Sequence, residues 1–163
     1  MRKAIFLDRD GVINKQPPKG DYVKNWDEFE WLPNAKEAIK LISQSGYLAI
    51  VVSNQRGVAR GLMGEEDIKE INKKMQKDFA KIGANLDAFY WCSHDYSDNC
   101  DCRKPKPGLI LQAAADFNID LANSWVIGDS DDDIAAGKAA GCNVLKIKTN
   151  GSLLSAVKKF LKN

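Results

Sequence analysis

Acidic residues gather at two places in this sequence. Asp8-Arg9-Asp10-Gly11 closes the first apolar run, and Gly128-Asp129-Ser130-Asp131-Asp132-Asp133 closes a later one. Where a strand ends in such a motif, side chains at i and i+2 point the same way, so Asp8 and Asp10 converge on one spot. Two carboxylates together are costly unless a proton or a cation holds them. Four acids in the five positions 129–133 repel one another further. The preference for acids at a helix start accounts for one or two of them. A divalent cation accounts for the excess better. Each motif alone has a plainer reading, since Asp-x-Asp-Gly also serves calcium loops and ordinary turns.

Two more groups complete such a site. Ser53-Asn54-Gln55 offers a hydroxyl and two amides to an anion, or else caps a helix. Arg103-Lys104-Pro105-Lys106-Pro107-Gly108 is a dense cationic turn, or else a solvated loop. Taken together, these groups supply oxygen ligands for a hard cation such as Mg²⁺, which is commonly shared with a substrate phosphate. Phosphoryl transfer needs that assembly: a positioned nucleophile and cations that neutralise the phosphoryl oxygens.

The cysteines make a separate cluster. Cys92, Cys100 and Cys102 fall within eleven positions, and the only histidine, His94, lies among them. Three thiolates and one imidazole are a known structural zinc set. Cys-x-Cys is less typical of redox thiol pairs than Cys-x-x-Cys. Four protein ligands close a tetrahedral site, so zinc there is expected to be structural. Its loop leads directly into Arg103 and Lys104 and would fix that cationic wall. Cys142 stands alone beside an apolar run and reads as a small core residue.

The elements that must position these groups follow from periodicity. Five apolar runs of strand length recur: Lys3–Asp8, Tyr47–Ser53, Leu86–Trp91, Ser124–Asp129 and Cys142–Lys148. They show little alternation, as expected of strands buried on both faces. Between them lie helical patterns. Ala35, Ala38, Ile39 and Ile42 share a face stopped by Gly46, and Ile68, Ile71, Met75, Phe79 and Ile82 share another. Pro107 opens a third helix carrying Leu109, Leu111, Ala113 and Phe117. Ile134, Lys138 and Ala139 lie on a fourth, stopped by Gly141. Leu153, Leu154, Val157, Phe160 and Leu161 form an amphipathic last helix. Alternating strands and helices predict an α/β fold, a parallel five-stranded sheet between two helical layers. In that architecture ligands bind at the carboxyl ends of the strands, where Asp8, Ser53 and Asp129 fall. Lys15–Pro33 and His94–Pro107 do not fit the alternation. No internal repeat or low-complexity linker is visible.

The 163 residues predict one domain, 1–163, with the zinc loop 92–102 inserted in it. Hydrophobic residues at 44% and charged residues at 28% allow a sizeable core and exclude disorder as the main state. A net charge of +2 gives no support to broad nucleic-acid or membrane-surface binding. No apolar run approaches the ~18 residues of a membrane span, and no secretory leader is visible. A cytoplasmic protein, monomeric, with no nucleic-acid or membrane partner, is expected.

These motifs in this order resemble those of the haloacid dehalogenase-like phosphatase superfamily: Asp8-Arg9-Asp10-Gly11-Val12, Ser53-Asn54, Lys104, and Gly128-Asp129 with Asp133. More narrowly, the chain resembles the D-glycero-D-manno-heptose 1,7-bisphosphate 7-phosphatases. That likeness rests on Phe6–Asn14, Ser53–Gly61 and Cys102–Gly108, and it runs from Lys3 to about Lys148. The resemblance implies a Rossmann-like fold without a cap domain and a Mg²⁺-dependent phosphatase acting on a small phosphorylated sugar. It implies Asp8 as nucleophile, forming an aspartyl-phosphate, and Asp10 as general acid and base. Mg²⁺ would be held by Asp8, Asp129 and the backbone carbonyl of Asp10. Ser53 and Lys104 would hold the phosphoryl oxygens. Asn54, Gln55, Arg56 and Arg103 would contact the substrate. The family's Cys-x-His…Cys-x-Cys zinc loop corresponds to Cys92, His94, Cys100 and Cys102. The sequence departs at Ser53, where the family usually has Thr, and at Ser130, where it often has Lys. The Lys15–Asp21 segment is also longer than usual. The main alternative is a histidinol-phosphate phosphatase, which shares the chemistry and the short zinc loop. A polynucleotide 3′-phosphatase, or a zinc-binding module without catalysis, are further alternatives.

Overall fold

The structure, a computed structural model, describes residues 1–161. Five strands form a parallel sheet: β1 (Ala4–Leu7), β2 (Leu48–Asn54), β3 (Ala88–Cys92), β4 (Trp125–Gly128) and β5 (Asn143–Lys146). Their order is β3-β2-β1-β4-β5. The chain thus runs outward from β1 in one direction and then, with β4, in the other. The crevice where it reverses lies beyond the ends of β1 and β4, the usual ligand position in a doubly wound sheet.

Alternate residues of each strand feed opposite cores. On one face Ile5, Leu7, Ala49, Val51 and Ile127 are buried in one cluster. It takes in Ile39 and Ile42 of helix α1 (Ala35–Gln44), Ile71, Met75 and Phe79 of α2 (Glu65–Lys81), and Leu153 and Val157 of α5 (Leu153–Leu161). On the other face Phe6, Ile50, Val52 and Val126 meet Leu109, Ile110 and Ala113 of α3 (Gly108–Phe117) and Ala136 of α4 (Asp131–Ala139). This is the expected three-layer Rossmann-like sandwich. Burying one such side chain contributes about 1.5–3 kcal/mol, so the paired cores hold the strand ends in a fixed frame.

The structure differs from the sequence expectation at the margins. Only the inner strands are sealed on both faces; edge strand β5 is exposed at both its ends and β3 is half-buried along most of its length. On α3 the buried face is Leu109, Ile110 and Ala113, and Leu111 points to solvent at 45% exposure. The periodic face is Leu109–Ala113, and the extra leucine broke the pattern read from sequence. Cys142 is buried as expected.

The irregular stretch 15–33 is fixed by aromatic packing. Trp26 stacks on Phe29 with ring centres 4.7 Å apart, Trp31 meets Phe29 edge-on at 4.9 Å, and Trp31 meets Phe79 of α2 at 5.2 Å. Such pairs add about 0.5–1.5 kcal/mol each beyond area burial. They anchor a loop that has no period of its own, and its residues 16–22 form one wall of the crevice described next.

Candidate active site

Asp8 follows β1, and Asp129 follows β4. Their carboxylates and that of Asp133, in the first turn of α4, offer ligand atoms within 4.8 Å of one another. Lys104 enters the same place from the loop before α3. It is 3% exposed, and its ammonium lies 2.8 Å from Asp8 Oδ1 and 2.6 Å from Asp133 Oδ1. It also donates to the carbonyl of Val52 at 2.8 Å. Two glycines make the approach possible. Gly11, at φ +88°, lies against the Asp129 carboxylate, and Gly128 lies against the Asp133 side chain; a Cβ on either would clash.

Burial and charge set the protonation of this cluster. Burial pushes Asp8 up to about 7, helped by Asp133 and Asp10 and opposed by Lys104. Burial works the same way on Asp133, but Lys104 and the Ser130 hydroxyl outweigh it and hold that carboxyl low. Burial disfavours the Lys104 ammonium, yet Asp8 and Asp133 carry its pKa upward. Asp129 is raised, chiefly by burial, with Thr149 opposing the rise. One ammonium cannot neutralise three carboxylates. With all ionised, three negative charges against one positive leave a surplus of two. That is the charge of one divalent cation, and the donors are all hard oxygens, so the cluster fits Mg²⁺.

Asp10 is held differently. Arg9 Nε and Nη2 each lie 3.1 Å from its Oδ1, Asn14 donates to the same oxygen at 2.8 Å, and Gln55 donates to Oδ2 at 3.3 Å. Arg9 is 1% exposed and Asn14 is fully buried, so this cradle belongs to the core. The Asp10 carboxylate is thereby aimed rather than free to rotate.

Asp8, Asp10, Asp129, Asn54 and Lys104 share a cavity of about 410 Å³. Gln16, Pro17 and Tyr22 wall it on one side; Ser130, Asp132 and Thr149 wall it on the other. The volume suits a small ligand of about 300–1,000 Å³ pocket class. Asn54 also fixes Lys104: its amide donates to the Lys104 carbonyl and its carbonyl accepts the Lys104 N–H, both at 3.0 Å.

Four residues expected to contact the substrate are not among those lining this cavity. Ser53 and Gln55 are 3% and 1% exposed and sit behind the cavity wall, with Gln55 Nε2 donating to Ser53 Oγ at 2.8 Å. The alternation of β2 explains this, since only Asn54 among the three faces the cavity. Arg56 and Arg103 stand beside the cavity rather than on its wall. Sequence reasoning assigned no role to Asp133, Arg9 or Asn14. Asp133 also reads as a helix cap with Ser130, which it is, at Ser130 Oγ–Asp133 Oδ2 2.7 Å. Its second task, holding Lys104, carries no separate sequence signal. The wall residues Gln16 and Tyr22 were hidden by the length of their loop. The four acids of 129–133 divide: Asp131 pairs with surface Lys146 at 2.7 Å and takes no part in the cluster.

The second cluster lies where expected. Cys92 Sγ is 2.8 Å from Cys102 Sγ and 3.6 Å from Cys100 Sγ, and His94 Nδ1 is 3.2 Å from Cys102 Sγ. All four cysteines are unpaired. A tetrahedral ion with ~2.3 Å Zn–S bonds sets its ligands about 3–4 Å apart. Two of these spacings fall in that range, the Cys92–Cys102 one lies just below it, and all four ligand atoms lie within 4.8 Å of one another, so the set fits zinc. Cys92 ends β3, and Cys102 adjoins Arg103 and Lys104, so the loop ties the sheet edge to the cationic turn.

A parallel sheet that brings acids to the ends of two neighbouring strands, with a lysine buried between them, is built for phosphoryl transfer. Comparisons with known proteins agree. Residues 101–160 match the HAD-hydrolase-like family model. The D-glycero-beta-D-manno-heptose-1,7-bisphosphate 7-phosphatase of Pasteurella multocida is 39% identical, covering 98% of this chain and 89% of that protein. The alpha-type enzyme of Mycobacterium tuberculosis is 42% identical, covering 88% and 78%. The crystal structure of the D,D-heptose 1,7-bisphosphate phosphatase of B. bronchiseptica, complexed with magnesium and phosphate, superposes with a TM-score of 0.92 at 31% identity over 98% of both chains. The chain belongs to the haloacid dehalogenase-like hydrolases and, within them, to the family of the D-glycero-D-manno-heptose 1,7-bisphosphate 7-phosphatases. It is a phosphoric monoester hydrolase. Among the described residues no helix is long and apolar enough to cross a membrane.

Proposed function

We propose that this phosphatase removes the 7-phosphate from D-glycero-D-manno-heptose 1,7-bisphosphate through an aspartyl-phosphate on Asp8. The observation that carries this reading is the convergence of Asp8, Asp10, Asp129 and Lys104 on one sugar-sized cavity, in a chain 39% identical to an enzyme of that name. Asp8 and Asp129, with the Asp10 carbonyl, would hold Mg²⁺, which when bound neutralises phosphoryl oxygens and keeps Asp8 ionised. An Asp8 carboxylate oxygen attacks phosphorus as the bond to the sugar oxygen breaks. Asp10 gives its proton to that leaving oxygen, then takes one from the water that displaces the Asp8 oxygen and releases inorganic phosphate. Lys104 and Asn54 hold the phosphoryl oxygens from the cavity wall. Asp133 holds Lys104. Ser53, behind the wall, orients Gln55 against Asp10, and Arg103 faces the sugar's other phosphate.

Zinc on Cys92, His94, Cys100 and Cys102 is structural in this account, because all four positions are protein ligands. The chain acts as one domain, 1–163, and as a cytoplasmic monomer. Its partner is a small phosphorylated sugar. Phosphate release from both anomers of the heptose bisphosphate, histidinol phosphate, fructose 1,6-bisphosphate and a 3′-phosphorylated oligonucleotide tests the reading. The heptose bisphosphate is expected to have the highest kcat/KM, with loss of the C7 phosphorus resonance. A preference for histidinol phosphate or the oligonucleotide would overturn it.

A further inference from the structure

Beside the cavity, two arginines share one aromatic ring. The Arg56 guanidinium lies 4.5 Å from the ring centre of Tyr96, and the Arg103 guanidinium lies 4.2 Å from it. Tyr96 begins a short 3₁₀ turn, Tyr96–Asp98, in the loop between His94 and Cys100. That turn is braced by Asp95, which accepts from the Tyr96 N–H at 2.6 Å, and by Asp98, which accepts from the Asp95 N–H at 2.7 Å. Tyr96 is nevertheless 67% exposed, so burial does not explain its place.

Among the described residues only one of the two arginines is ion-paired. Asp95 pairs with Arg56 at 2.6 Å, while the Asp98 carboxylate is turned to the Asp95 N–H. Arg103 has no salt bridge among the described residues; it donates to the His94 carbonyl at 3.4 Å, and its Nε is buried without a partner. Arg103 therefore has a guanidinium without a carboxylate partner among the described residues. A planar guanidinium offers a two-pronged fork that matches phosphate. Arg103 precedes Lys104, which lines both the main cavity and a smaller one of about 180 Å³ that also holds Tyr96 and Arg103. An anion on Arg103 therefore sits one residue along the chain from the group that holds Asp8. On the other side Arg56 comes under the electrostatic influence of Tyr22, a wall residue of the main cavity.

We propose that Tyr96 is a positioning residue for substrate selection, holding Arg103 and Arg56 against its ring so that they receive the substrate's distal phosphate. The proposal rests on the bisphosphate reading above. The ring orders two long side chains before the substrate arrives, which reduces the entropy cost of binding. A cation on an aromatic face is attracted by the negative face of the ring, and more strongly where water is excluded.

Steady-state kinetics of the zinc- and Mg²⁺-loaded protein test this. Wild type, Tyr96→Ala and Tyr96→Phe are compared on the heptose 1,7-bisphosphate and on p-nitrophenyl phosphate, which has no distal phosphate. Tyr96→Ala is expected to raise KM for the bisphosphate about tenfold, equivalent to roughly 1.4 kcal/mol, with kcat changed less than about twofold. KM for p-nitrophenyl phosphate should change little, and Tyr96→Phe, which keeps the ring, should behave as wild type. An unchanged bisphosphate KM in Tyr96→Ala overturns the proposal. So does an equal loss on both substrates accompanied by loss of zinc, which would make Tyr96 a strut of the metal loop. A wild type that does not prefer the bisphosphate overturns the substrate reading itself, and the role of Tyr96 with it.

Discussion

Asp8 is costly where it stands. It is buried beside two other carboxylates, and Lys104 must serve both Asp8 and Asp133. In the Mg²⁺-free protein its carboxyl therefore lies at about 7, against an ordinary 3.8. Between those values the folded chain keeps a proton that the unfolded chain has lost. The contribution of Asp8 to stability is thus most favourable at low pH and falls as pH rises from about 4 to about 7. Asp8→Asn carries no such proton. In Mg²⁺-free buffer with zinc retained, its Tm advantage over wild type should widen between about pH 5 and about pH 8. A pH-independent difference in thermal melts would show that burial does not raise Asp8. Spacing made the convergence of Asp8, Asp10 and Asp129 legible from sequence, because the two acidic motifs together exceed what turns and a helix start require. Depth was not legible. Ser53 and Asn54 are neighbours of similar polarity, and only the pleat of β2 sets one behind the wall and the other on it. The partnership of Asp133 with Lys104 spans 29 positions and leaves no local trace.

At the scale of elements, strand–helix alternation revealed the sheet and its two helical layers, since apolar period and burial are the same fact seen twice. Edges and loops were another matter. β5 reads as apolar but lies at the sheet margin, and residues 15–33 are ordered by Trp26, Phe29 and Trp31, whose packing has no period to read. The zinc loop was legible because metal ligands are chemically distinctive. It is also the element whose removal should be separable from the core, since the buried residues of both cores come mainly from strands and helices, with Cys92 contributing at the sheet edge and Cys100 and Cys102 only packed against it. Cys100→Ser should lower zinc below about one per chain and reduce activity by loosening Arg103 and Lys104, while far-ultraviolet circular dichroism stays near wild type. Added Mg²⁺ should not restore activity, because thiolate and imidazole suit zinc whereas magnesium takes oxygen. Full activity in a zinc-free protein, or a native disulfide within 92–102, would contradict this.

As a whole molecule, the protein uses one rigid frame to hold two metal sites of opposite chemistry about a single cationic turn. Thiols and an imidazole hold one flank of Arg103–Lys104, and carboxylates face the other. The sheet reversal between β1 and β4 supplies the crevice, and the aromatic-pinned loop narrows it to the size of a sugar phosphate. In the proposed mechanism this arrangement converges on Asp8, whose carboxylate oxygen attacks phosphorus. The most direct test is the rate of phosphate release from D-glycero-D-manno-heptose 1,7-bisphosphate, with Mg²⁺, by wild type and by folded, zinc-loaded Asp8→Asn. Wild type should release one phosphate per sugar, and the variant, which keeps the shape but loses the nucleophile, should be slower on the order of 10³-fold or more. Turnover by Asp8→Asn near the wild-type rate would contradict the account.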